Sequence, residues 1–74
     1  MGPQYFHVKR YDSQQANGIV VKLQDGLLEI FAGESLPSGF GLGVDLDGKL
    51  SVSQDYCYSL IGRETALRIR REFL

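Results

Sequence analysis

Apolar and polar positions alternate most regularly across IVVKLQDGLLEIFA, residues 19 to 32. Two runs of aliphatic and β-branched residues flank Asp25-Gly26, a strong hairpin signal because a type I′ turn needs positive φ at both central residues. A two-residue loop fixes the register by counting. On one face Leu23 opposes Leu28, Val21 opposes Ile30 and Ile19 opposes Ala32; on the other Gln24 opposes Leu27, Lys22 opposes Glu29 and Val20 opposes Phe31. The first face is wholly apolar, and the second carries an opposite-charge pair that contributes about 0.2–1 kcal/mol. A slip by one residue would push Lys22 and Glu29 among the apolar side chains, so the pattern itself holds the register.

The second Asp-Gly, in GLGVDLDGKLSVS, reads differently. A two-residue loop at Asp47-Gly48 would set Val44 against Ser51 and Leu42 against Ser53. A three-residue loop, Leu46-Asp47-Gly48 with Gly48 in the left-handed region, pairs Val44 with Leu50, Leu42 with Val52 and Asp45 with Lys49, and is the better match. Residues 5 to 11, YFHVKRY, read as a first strand of impure alternation, and 56 to 61 as a short last strand. Residues 12 to 18 and 33 to 39 have the composition of connections. In ETALRIRREFL, residues 64 to 74, Ala66, Ile69 and Phe73 share one helical face, with Leu67 and Leu74 at its margin and Arg70 projecting from its middle. The stretch Leu67-Arg68-Ile69-Arg70 also alternates as a strand would; helix is preferred, and arginines in its last turns suit the helix dipole.

These elements predict one small α+β domain, mainly antiparallel β, over residues 1–74: a sheet of four to six strands built from hairpins, with a C-terminal helix packed on one face. Its expected core is Ile19, Val21, Leu23, Leu28, Ile30, Leu42, Val44, Leu50 and Val52. At 74 residues folding buries only about 60–65% of the unfolded chain's surface, so the core needs a supplement. Cys57 is the single cysteine and forms no bridge within the chain. Self-association or close packing remains.

Charge changes the picture in its distribution more than its sum, a net −1. Between Leu23 and Gly62 six acids stand against Lys49 alone, while four arginines follow from Arg63 onward. The opening MGPQYFHVKRYD lacks the positive-then-apolar order of a secretory signal, and no apolar run nears the roughly 18 residues of a membrane span. A cytoplasmic protein without a membrane partner is the expectation.

Candidate chemistry is sparse. DLDGK opens like a calcium loop, but Gly48 falls at position 4 and Tyr56 at position 12, where that loop needs Gly at 6 and Glu at 12. One histidine, His7, and one cysteine do not make a common zinc set. The same two residues are the only material for a thiol-imidazole pair, and Cys57 between Tyr56 and Tyr58 reads as a small buried hydrophobe. No catalytic residue, metal or cofactor is expected, and no enzyme. Gly39, Gly41 and Gly43 lack the spacing and the following helix of a phosphate loop.

The segment Gly39-Phe40-Gly41 resembles the aromatic strand motif of RNA-recognition and cold-shock domains, which implies base stacking on Phe40. It departs from that motif at Ser38, Leu42 and Gly43, and its surroundings are acidic. In outline, a strand, an x-D-G hairpin, further strands and a terminal helix are similar to a polo box, without that family's Trp or ligand motif. The functional expectation is therefore a protein-protein interaction module, either a small regulator or inhibitor or an assembly subunit that self-associates as a homo-oligomer, a dimer foremost. Single-stranded nucleic-acid binding is the second reading. The candidate partner surface comprises Val20, Leu27 and Phe31 with the Arg63, Arg68 and Arg71 edge of the helix, unless the helix itself covers Val20 and Phe31.

Overall fold

The computed structural model describes residues 2–10, 18–33 and 41–73. Along the chain run β1 (Gln4–Arg10), β2 (Ile19–Gln24), β3 (Leu27–Ala32), β4 (Gly43–Val44), β5 (Leu50–Ser51), β6 (Tyr56–Ile61) and the helix α1 (Arg63–Glu72). Four strands make one antiparallel sheet in the order β3-β2-β1-β6, and β4 with β5 forms a separate hairpin. The predicted α+β architecture is the one observed, with a four-stranded sheet and its C-terminal helix packed on one face. Most of the two predicted connections, and Phe40 and Leu74 with them, lie outside the described residues.

The first hairpin forms as its sequence dictates near the turn. Asp25 and Gly26 have φ of 53° and 76°, and Gln24 pairs with Leu27, Lys22 with Glu29, Leu23 with Leu28 and Val21 with Ile30. Beyond Val21 the register shifts at a bulge, and Val20 pairs with Ala32 instead of Phe31. The extra residue lets consecutive side chains, Phe31 and Ala32, join the same apolar cluster.

The second hairpin has the predicted three-residue loop. Val44 pairs with Leu50, Gly48 sits at φ 77°, and the Asp45 amide donates to the Lys49 carbonyl at 2.8 Å. Asp45 does more than close the ladder. Its Oδ1 accepts from the amides of Asp47 and Lys49, both at 2.9 Å, so the carboxylate in DLDGK serves the turn's own backbone.

Two cores lie on opposite faces of the main sheet, because successive strand residues point opposite ways. Phe6, Val8, Val21 and Leu23 meet Leu50 of the β4–β5 hairpin, with Ile19, Leu28, Leu42, Val44 and Val52 half-buried around them. On the other face Tyr5, Val20 and Ala32 meet Ala66 of α1, flanked by Phe31, Ile61 and Ile69. The small Ala66 lets the helix lie close against the sheet. Ile30 departs from the expected core: it is 41% exposed, on an edge strand beyond the residues gathered under the small hairpin. Tyr5, Phe6, Val8 and Val20 join the core because β1 and β2 are central strands covered on both sides, and Ala32 of β3 joins it opposite Val20, beyond the bulge.

Gly18 enters β2 at a close approach to β1. A Cβ there would run into the carbonyl oxygen of Val8 and come within 2.9 Å of His7 Nε2, so only glycine fits without a shift.

Gly26→Val forces a β-branched residue to positive φ and is expected to cost about 1–3 kcal/mol, whereas Gln24→Thr stays close to silent. Thermal melts of the two variants check this; equal shifts would refute the turn.

Candidate interaction surface

The helix decides which apolar side chains remain available. α1 starts after Gly62, which supplies no side-chain cap, and carries Glu64 in its first turn and Arg70 and Arg71 in its last, each at the end that its charge favours. It lies over the Val20 side of the sheet. Val20 is 0% exposed and out of reach of any partner while the chain is folded. Phe31 is half-buried, its ring edge-on to Tyr5 with centroids 4.9 Å apart. Arg70, the charged residue in the apolar face of the helix, sets its guanidinium carbon 4.8 Å from the Phe31 ring centre, a cation–π contact contributing about 0.5–1 kcal/mol at an exposed site. Of the two outcomes the sequence allowed for Val20 and Phe31, coverage by the helix is the one found.

The other candidate residues are dispersed. Leu27, 75% exposed, stands beside the first turn, next to the Lys22–Glu29 ion pair at 3.4 Å. Arg63 lines an open cleft of about 630 Å³ with Tyr5, Lys22 and Leu60, while Arg68 and Arg71 border a separate groove along α1 with Glu64 and Leu67. Val20, Leu27, Phe31 and the three arginines are thus not one continuous patch.

The more coherent apolar exposure lies on β6, outside the candidate surface expected from sequence. Its segment YCYSLI has no charged residue and no proline. Among the described residues β6 is an edge strand, paired with β1 on one side only. On its hairpin side Leu60 is 64% and Tyr58 47% exposed, although the Tyr58 ring packs edge-on against Phe6 at 5.6 Å. The absence of charge in a strand followed directly by an arginine-rich helix was the available signal.

His7 lies opposite Ser59 in the β1–β6 ladder, and Lys9 lies opposite Cys57. Burial, and after it the Lys9 ammonium, holds the His7 imidazole below its ordinary 6.5. Among the described residues no group of three or more His, Cys, Asp or Glu is placed to hold a metal ion, and no helix is long and apolar enough to cross a membrane.

No protein-family model, curated protein or solved structure matches the chain. The outline likeness to a polo box and the Gly-Phe-Gly likeness therefore gain nothing from comparison.

Phe31→Asp places a carboxylate against Tyr5 beneath the helix and is expected to unfold much of the population by circular dichroism, since a domain of this size holds only about 3–5 kcal/mol. A folded Phe31→Asp protein would show that the helix does not need this ring. His7 gives a pH signature. Its folded pKa is lowered, so the unfolded chain binds a proton that the folded chain refuses, and stability falls as pH drops below 6.5 toward the folded value. Melting temperatures at pH 7.5 and 5.5 should differ in the wild type and draw together in His7→Gln.

Proposed function

We propose that this chain is a non-enzymatic protein-interaction module, a small regulator or an assembly subunit, whose docking element is the outer edge of β6. The observation that carries the reading is the exposure of the apolar side chains Tyr58 and Leu60 on a strand that has one neighbour among the described residues. An edge strand presents a row of N–H and C=O groups to any incoming strand, and alternate side chains on it give selectivity. The exposed arginines of α1 form a second, charged border that tunes encounter more than affinity.

Nucleic-acid binding has less behind it. Its motif, Gly39-Phe40-Gly41, lies mainly outside the described residues, and the remaining support is the basic side of α1. Phosphate contacts there would show as binding that weakens steeply with salt.

Leu60→Lys is the direct test, because the side chain is already exposed and the substitution guards the edge with charge. Immobilised wild-type protein should retain at least one protein of its native host that an equally folded Leu60→Lys variant releases. Identical retained sets would overturn the reading, as would salt-sensitive binding of a labelled single-stranded oligonucleotide at low micromolar protein.

A further inference from the structure

The β4–β5 turn holds one side chain that the fold does not use. Asp45 is needed for its Oδ1, which accepts from the amides of Asp47 and Lys49 at 2.9 Å, and Gly48 for its φ of 77°. Two backbone bonds close the loop, from the Asp45 amide to the Lys49 carbonyl at 2.8 Å and from the Gly48 amide to the Asp45 carbonyl at 3.0 Å. Leu46, at the tip, is 107% exposed and belongs to neither apolar cluster. A polar residue would serve the turn equally well. A local rule broken without gain to the fold marks a position where function decides the residue. The turn's bonds also hold this leucine in place before any partner arrives, which lowers the ordering cost of docking.

The open cleft at the β6–α1 junction has the matching character. Leu60, Ile61 and Pro3 give it apolar walls, Lys22 and Arg63 give it cations, and no acid lines it among the described residues. Arg63 makes no ion pair among the described residues, whereas Lys22 shares its charge with Glu29 at 3.4 Å. At about 630 Å³ the cleft falls in the size range of binding pockets, about 300–1,000 Å³. We infer that the Leu46 turn of one copy of this chain seats in this cleft on the next copy, with the leucine against the apolar walls and the Asp47 carboxylate beside Arg63.

Charge and polarity select the second copy as the occupant. Asp47 makes no ion pair among the described residues, and with Asp45 it leaves the turn net negative even after Lys49 at its base is counted. The cleft stays net positive after Glu29 is set against Lys22. An exposed leucine in an acidic setting thus meets apolar walls in a basic one. Turn and cleft are different surfaces of the chain, so the contact is heterologous and each copy can receive one neighbour while entering another. This contact does not rest on the outer edge of β6. It is also small, well below about 1,200 Å², so assembly should be reversible and appear at high micromolar concentration.

Mixing two disabled variants tests the proposal by sedimentation. Wild-type mass should rise with concentration beyond that of a dimer. Leu46→Asp, which spoils the turn, and Arg63→Glu, which spoils the cleft, should each weaken self-association about tenfold or more. Both positions are exposed, and Glu suits the first turn of a helix, so melting curves should stay close to the wild type. Leu46→Asp keeps an intact cleft and Arg63→Glu an intact turn, so the two mixed should form a heterodimer that neither forms alone. In labelled Leu46→Asp, unlabelled Arg63→Glu should shift the amide resonances of Tyr5 and Gly62 and leave Asp47 and Gly48 in place. A monomeric wild type at high micromolar concentration, self-association indifferent to Leu46→Asp, or a mixture without heterodimer would overturn the inference. If the wild type is monomeric while retention of another protein still depends on Leu60, the head-to-tail contact falls and the reading of β6 as a docking element stands.

Discussion

Among the described residues, one ten-residue helix and one short hairpin keep two sheet faces from water. Every other feature follows from that constraint. The central strands β1 and β2 are sealed on both sides, with Val8 under the β4–β5 hairpin, Val20 under α1 and Val21 beside Val8 all essentially unexposed. Cover runs out toward the edges, and there Ile30, Tyr58 and Leu60 remain in contact with water. The bulge near Phe31 extends the cover a little further, because it turns an extra apolar side chain toward the helix. Arg70 then completes the lid with the aliphatic stem and flat cation of a residue that is otherwise out of place on an apolar helical face.

Local rules were legible where local chemistry decides. Both Asp-Gly turns, the glycine at φ 77° in the second, the bounds of β6 and the existence of the helix could be read from spacing and turn residues. The bulge could not, since nothing in VVKLQDGLLEIF marks one residue as extra; its cause is the packing of Phe31 against Tyr5 and α1, which are remote in sequence. The impure alternation of YFHVKRY also becomes intelligible only with the sheet order known. A central strand buried on both faces loses the two-residue period that identifies a half-buried one.

The candidate site was less legible than the fold. Val20 and Phe31 are apolar residues on a mixed face, and sequence alone cannot distinguish a face awaiting a partner from a face awaiting the chain's own helix. The helix amphipathicity contained part of the answer, because Ala66 and Ile69 need an apolar surface and the Val20 side supplies it. Tyr58 and Leu60 escaped notice for the converse reason. They look like core residues in sequence, and only their position on an outer strand exposes them.

The position of β1 also orders events in time. It pairs with β2, its near neighbour in the chain, and with β6, made some fifty residues later. During synthesis the two hairpins can close while their residues are still leaving the ribosome, but the free side of β1 waits until Tyr56–Ile61 has emerged. Until then Phe6 and Val8 lack Tyr58 and its neighbours along one flank. This long-range closure raises contact order and slows folding relative to a chain of local hairpins, leaving the nascent protein, for that interval, with an open edge on a strand that later becomes central.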